Sequence, residues 1–167
     1  MLAKDELLSI AEISVTLIGF SGLIFVVRAC NLDQMQPRDL SAIAMIVSSG
    51  GISLAFALLP LPFSYLDIAQ DVLWRWSCAA FGLTLLVSAF VFASINRRLE
   101  AAGHPARTPR FNRTTVTLAV LMGLLLSSAA LGFVHGPAAY LFSLVVCVLL
   151  CLVCIGLMMM VARTVAD

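Results

Sequence analysis

The chain has 167 residues, 62% of them hydrophobic and 11% charged, with a formal net charge of +1. A soluble domain is about a quarter charged, so a soluble chain of this size could not hide so much apolar surface, and lipid is the solvent the composition calls for. The near-zero net charge removes any bulk electrostatic case for nucleic acid.

Crossing the hydrocarbon core takes about 20 apolar residues in helix, and five segments meet that requirement. The first covers 7–27 and is interrupted only by Glu12. Its flank combines Lys4 with Asp5 and Glu6, so it lacks a basic n-region, and no small-residue cleavage site follows. It therefore reads as a retained helix rather than a signal peptide. The second segment covers 38–59, with Pro37 suited to a first helical turn and Pro60 and Pro62 placed to stop the helix. The third covers 72–96, after the candidate caps Asp67 or Asp71. Trp74 and Trp76 at its start suit an interfacial aromatic belt. The fourth covers 114–134 and the fifth 137–161, with Gly136-Pro137 implying a short turn between antiparallel neighbours. No run alternates as a strand does, and an open sheet could not survive in lipid. The expected fold class is all-α: one polytopic transmembrane domain over 1–167, a bundle of about five spans.

Basic residues orient the bundle. The loop 97–113 carries Arg97, Arg98, Arg107, Arg110 and Arg113, with Gly103, Pro105 and Pro109 among them. Threading the spans puts Arg28, Arg38 and Arg163 on the same side and only Lys4 and Arg75 opposite, a split of eight to two. The expected topology is N-out and C-in, with the 97–113 loop cytoplasmic. The same five arginines suit anionic lipid heads. Stacking partners for bases are missing apart from Phe111, which argues against nucleic acid.

In the interior of the spans Glu12 is the one acidic residue, Asp39 standing at the very start of the second. It lies about 8 Å from the middle of the first span, towards the outer side, at 1.5 Å per residue. Ser9, Glu12, Thr16 and Gly19 recur at spacings of three and four and share a helix face. Small and hydroxyl residues so spaced favour close helix contact, so this face is expected to turn inward. Three readings of Glu12 stand: a structural carboxyl bonded to a neighbouring helix, a group lining a cation or proton path, or a carboxylate reaching outer water. A second face, Cys147, Cys151, Cys154 and Met158, presents soft ligands that suit Cu(I). One helix closes poorly around a metal, and packing is the expected role of these side chains. Ala44, Ser48, Gly51 and Ala55 form a small-residue face, Ala119, Gly123 and Ser127 another, and Cys78 with Gly82 a short third; all three are expected packing seams.

The string Ser48-Ser49-Gly50-Gly51 lacks the lysine and preceding strand of a phosphate loop. His104 and His135 have no neighbouring Cys or Asp that would complete a triad or a zinc set. With no nucleophile constellation, the expectation is a protein that is not an enzyme and takes no cofactor.

The run Ile10-Ala11-Glu12-Ile13, followed by Leu17-Ile18-Gly19-Phe20-Ser21-Gly22-Leu23, resembles the opening helix of uncharacterised small bacterial multi-pass inner-membrane proteins. The resemblance covers about one helix. It implies a bacterial inner-membrane location and carries no activity. The leading functional expectation is a small oligomeric membrane protein that passes a cation or proton, with Glu12 facing the path. The alternative is a non-catalytic subunit or scaffold that packs with partner membrane proteins, and a third is an oxidoreductase accessory using the cysteine face.

Overall fold

Proline and glycine set the helix boundaries. The computed structural model describes residues 2–29, 37–63, 69–103 and 109–163. They form α1 (Leu2–Ala29), α2 (Pro37–Leu58), the single turn α3 (Pro60–Phe63), α4 (Gln70–Ala101), α5 (Pro109–Ala130) and α6 (Gly136–Arg163). Among the described residues there is no strand. Five segments, one each on α1, α4, α5 and α6 and one running from α2 into α3, are long and apolar enough to cross a membrane.

The boundaries move most around the expected loop. α4 continues through Arg97 and Arg98 to Ala101, and α5 already starts at Pro109. Asn-Arg-Arg-Leu-Glu is mostly helix-forming sequence, and Arg98 in the last turn complements the helix dipole. Pro109 opens α5 because its missing N–H is not needed at the first position. Arg107 lies outside the described residues. Gly103, at φ +82, closes α4 with its N–H on the Glu100 carbonyl. α5 closes in the same way. Gly132 adopts φ +89, its N–H bonds the Ala129 carbonyl, and the Phe133 N–H reaches back to the Ser128 carbonyl. This is the glycine-terminated helix end whose left-handed residue disfavours a side chain. The turn between α5 and α6 is therefore 131–135, and Gly136-Pro137 open α6 instead of forming the turn. At α4 the N-cap is Ala69, without a side-chain cap, and Asp71 lies in the first turn. Asp67 lies outside the described residues.

Packing centres on α6, which touches α1, α2, α4 and α5. The α1–α2 hairpin lies against one side of it and the α4–α5 hairpin against another. Two buried clusters show how the hairpins diverge. At the end near Trp74, one core draws on all five long helices, including Leu7, Ala57, Phe81, Leu126 and Tyr140. Towards the end near Arg97, the second core comprises Leu17, Ile43, Ile46, Val148, Cys151, Cys154 and Ile155, all from α1, α2 and α6. The α4–α5 pair contributes nothing buried to it, so the bundle is a wedge, closed at the Trp74 end.

The α4–α5 seam is built on glycine, as the small-residue spacing implies. A Cβ on Gly82 would meet the Gly123 carbonyl at 3.0 Å, and one on Gly123 would meet Leu86 Cγ at 2.7 Å. On α2 the expected seam is displaced. Ala44, Ser48 and Ala55 are exposed, whereas Ile43, Ile46, Gly50, Ser53 and Ala57 face the bundle. Gly50 admits Ile18, whose Cγ1 would lie 2.8 Å from an added Cβ. The contact face of α2 is thus rotated from Gly51, where an added Cβ meets nothing, to Gly50.

Leucine at Gly123 must separate α4 from α5. Overpacking of this kind costs about 1–3 kcal/mol. Gly123→Leu should lower the thermal unfolding midpoint in detergent clearly, while Gly156→Leu, where an added Cβ meets nothing within 4 Å, should leave it nearly unchanged. Equal midpoints for the two variants would contradict the seam.

Candidate functional site

α1 buries a single stripe: Leu7, Ala11, Ser14, Leu17 and Ser21. Ser9, Glu12, Thr16 and Gly19 do share a face, but every one of them is exposed. At 3.6 residues per turn this face lies on the side of the helix roughly opposite the stripe. The expected inward face is therefore corrected. Within one chain the polar face points away from the bundle, because Leu7, Ala11 and Leu17 offer the apolar contact that α2 and α6 require. Thr16 Oγ1 donates to the Glu12 backbone carbonyl at 2.9 Å. Among the described residues no donor reaches the Glu12 carboxylate, so the structural reading, a bond to a neighbouring helix, has no support inside the protomer. An added Cβ on Gly19 meets nothing within 4 Å.

On α6, Cys147, Cys151 and Cys154 are all buried, and the side chain of Met158 lies outside the described set. Cys151 Sγ and Ser49 Oγ share a 2.8 Å hydrogen bond, and the Ile46 carbonyl, 3.7 Å from Cys151 Sγ and 3.1 Å from Ser49 Oγ, accepts from whichever of the two is not the donor in that bond. Cys151 thereby ties α6 to α2. Among the described residues no group of three His, Cys, Asp or Glu side chains is placed to hold a metal ion.

An aromatic clasp holds the Trp74 end. Phe56 stacks on Phe81 at a centroid distance of 4.7 Å. Tyr140 meets Phe81 edge-on at 5.4 Å and Trp74 at 5.6 Å. The Tyr140 hydroxyl donates to the Phe56 carbonyl at 2.6 Å. Pro60 explains that bond: it stands four residues after Phe56 and has no N–H to give that carbonyl. The neighbouring carbonyl, of Ala55, is satisfied normally by the Leu59 N–H at 2.9 Å. Trp74 is thus partly a packing residue. Trp76 is 73% exposed.

Where the wedge opens, α2, α4, α5 and α6 enclose a cleft with about 720 Å³ of unfilled space, part of it open to the outside. Its floor, just beyond the clasp, includes Ile52, Leu85 and Met122, and its walls include Ala119, Val146 and Cys147. Its polar lining groups are few, and Asn96, Asn112 and Thr115 gather at the Arg97 end. Its lining, mostly apolar with a few polar groups gathered at one end, resembles that of ligand sites between helices of a bundle.

The sequence reading missed the cleft and the clasp. A polar signal for the cleft was present, since Asn96 and Asn112 stand at facing ends of consecutive spans. The clasp could have been read from Pro60, which orphans a carbonyl inside a span and so calls for a donor such as Tyr140.

No family model, characterised protein or solved structure matches the chain. The class defined by the helices themselves is a multi-pass α-helical membrane protein.

Removing the Tyr140 hydroxyl keeps the ring packing but leaves the Phe56 carbonyl without a donor. The expected loss is about 1 kcal/mol. Tyr140→Phe should therefore unfold in detergent at a midpoint a few degrees lower than the parent chain. An unchanged midpoint would mean that the carbonyl is satisfied by another group.

Proposed function

We propose that the protein is a small oligomeric membrane protein that passes a cation or proton, with Glu12 facing the path. One observation carries this reading: Glu12 lies within a membrane span, exposed on the protomer, with no donor to its carboxylate among the described residues. A carboxylate facing lipid at that depth costs a few kcal/mol, so the face needs water or protein against it. Copies arranged about an axis, with their α1 faces turned inward, meet that need. They also bring the carboxylates into a ring, the arrangement by which acidic side chains select cations. Ser9 and Thr16 add hydroxyls to the same face, and Gly19 allows close approach of a neighbouring helix.

The basic split supports a cytoplasmic Arg97 end and an external N-terminus. With the resemblance of the first helix, this supports a bacterial inner-membrane location. The alternative, a non-catalytic subunit or scaffold, draws on the outward small-residue face of α2, where Ala44, Ser48 and Ala55 are exposed. Those residues would let a partner membrane helix approach closely without forming any path.

Glu12→Gln keeps the shape of the side chain and removes its charge. Proteoliposomes of the parent protein should carry a cation or proton current, and the variant should lose most of that current or its selectivity while keeping its oligomeric size. Absence of any flux from the parent protein across a range of voltage and pH would exclude the path and leave the scaffold.

A further inference from the structure

The cleft differs from the Glu12 face in position and chemistry. It opens between the α4–α5 hairpin and the α2–α6 pair. Its dimensions are informative. Along α4 the lining runs from Leu85 to Asn96, and along α5 from Met122 to Asn112. At 1.5 Å per residue the two paths are about 15–17 Å long. The hydrocarbon of one leaflet is half of a core about 30 Å thick, so the two lengths match.

Polarity runs along the same axis. The deeper lining is apolar apart from Ser49 and Ser88, whose hydroxyls bond carbonyls of their own helices, and the asparagines and Thr115 stand at the mouth. Asn96 and Thr115 are each engaged by a partner, which helps to fix their positions. Immediately beside the mouth in sequence stand Arg97, Arg98 and Arg113, all exposed. Glu100 at this end is also engaged by a partner. The mouth therefore combines amide groups with an excess of cationic charge at the depth where lipid heads lie.

We propose that this cleft is a binding site for an anionic phospholipid of the bilayer. One acyl chain lies between the two hairpins, and the phosphate lies at the level of Asn96, Asn112 and the flanking arginines. The acyl chain fills the space left because α4 and α5 add nothing buried to the second core. The arginines and amides hold the head by charge and hydrogen bonds, which favours an anionic over a zwitterionic lipid. The lipid then acts as a packing element at the open end of the wedge.

The test uses the full chain, purified in mild detergent, delipidated and exposed to equal amounts of phosphatidylglycerol and phosphatidylcholine. Retained lipid is counted by native mass spectrometry. The parent protein should retain phosphatidylglycerol at least fivefold over phosphatidylcholine. Ala119→Phe and, on the opposite wall, Val146→Phe each place a ring in the cleft and should cut retention severalfold. Either variant suffices if it keeps the parent's circular dichroism and oligomer size, and Ala119→Leu serves if neither does. The pair Arg97→Gln and Arg113→Gln should bring the preference towards unity while some lipid is still retained. Equal retention of the two lipids by the parent protein would overturn the proposal. So would undiminished retention by a folded, cleft-filled variant, or an unchanged preference in the arginine pair.

Discussion

A bilayer core offers no hydrogen-bond partners, so every polar group within a span must find one in protein, and the structure follows from that constraint. Helices satisfy their own backbones. Most hydroxyls in the spans then turn back onto their own helix: Ser14 onto Ile10, Thr84 onto Ala80, Ser94 onto Phe90, Ser127 onto Gly123 and Ser143 onto Ala139. Where proline breaks the ladder, the missing donor comes from elsewhere, and Tyr140 answers Pro60 from across the bundle. Ser53 is a small exception, buried with no hydrogen-bond partner of good geometry for its hydroxyl among the described residues. Glu12 is the large one, since its carboxylate is charged when ionised and faces out of the protomer.

The same constraint governs how the helices meet. Lipid is as apolar as leucine, so apolar contact alone gives two helices little reason to associate. Close approach at glycine and a few interhelical hydrogen bonds supply the reason. Gly82 and Gly123 bring α4 and α5 together, Gly50 admits Ile18 between α2 and α1, and Cys151 with Ser49 joins α6 to α2. None of these devices joins α4 or α5 to the second core. The wedge opens there, and the cleft results.

Much of this was legible in the sequence. The five spans follow from apolar length, and the Gly82 and Gly123 seam from small residues at helical spacing. The paths that failed share a physical cause. Spacing shows which residues share a helix face but not which way that face turns. The Glu12 face and the Ala44, Ser48, Gly51 and Ala55 face both met the rule for close packing, yet both turn outward, because the competing faces of α1 and α2 carry larger apolar side chains for α6. Tertiary competition between two plausible faces leaves no local trace. The ends of the 97–113 segment were missed for a different reason: arginine discourages a membrane span but favours a helix, so α4 extends past the point where hydropathy stops. The cleft was invisible for a third reason, since a void is a property of four helices together.

The account rests on the outward face of α1 being covered by another copy. Disulfide trapping in intact membranes tests this directly. In a background with Cys30, Cys78, Cys147, Cys151 and Cys154 replaced, Thr16→Cys places a thiol on the polar face and Leu83→Cys places one on an exposed face of α4. Mild oxidation should link Thr16→Cys chains to one another in high yield and Leu83→Cys chains hardly at all. Thr16→Cys chains that link no more readily than Leu83→Cys chains would contradict the account, because Glu12 would then not face a second copy.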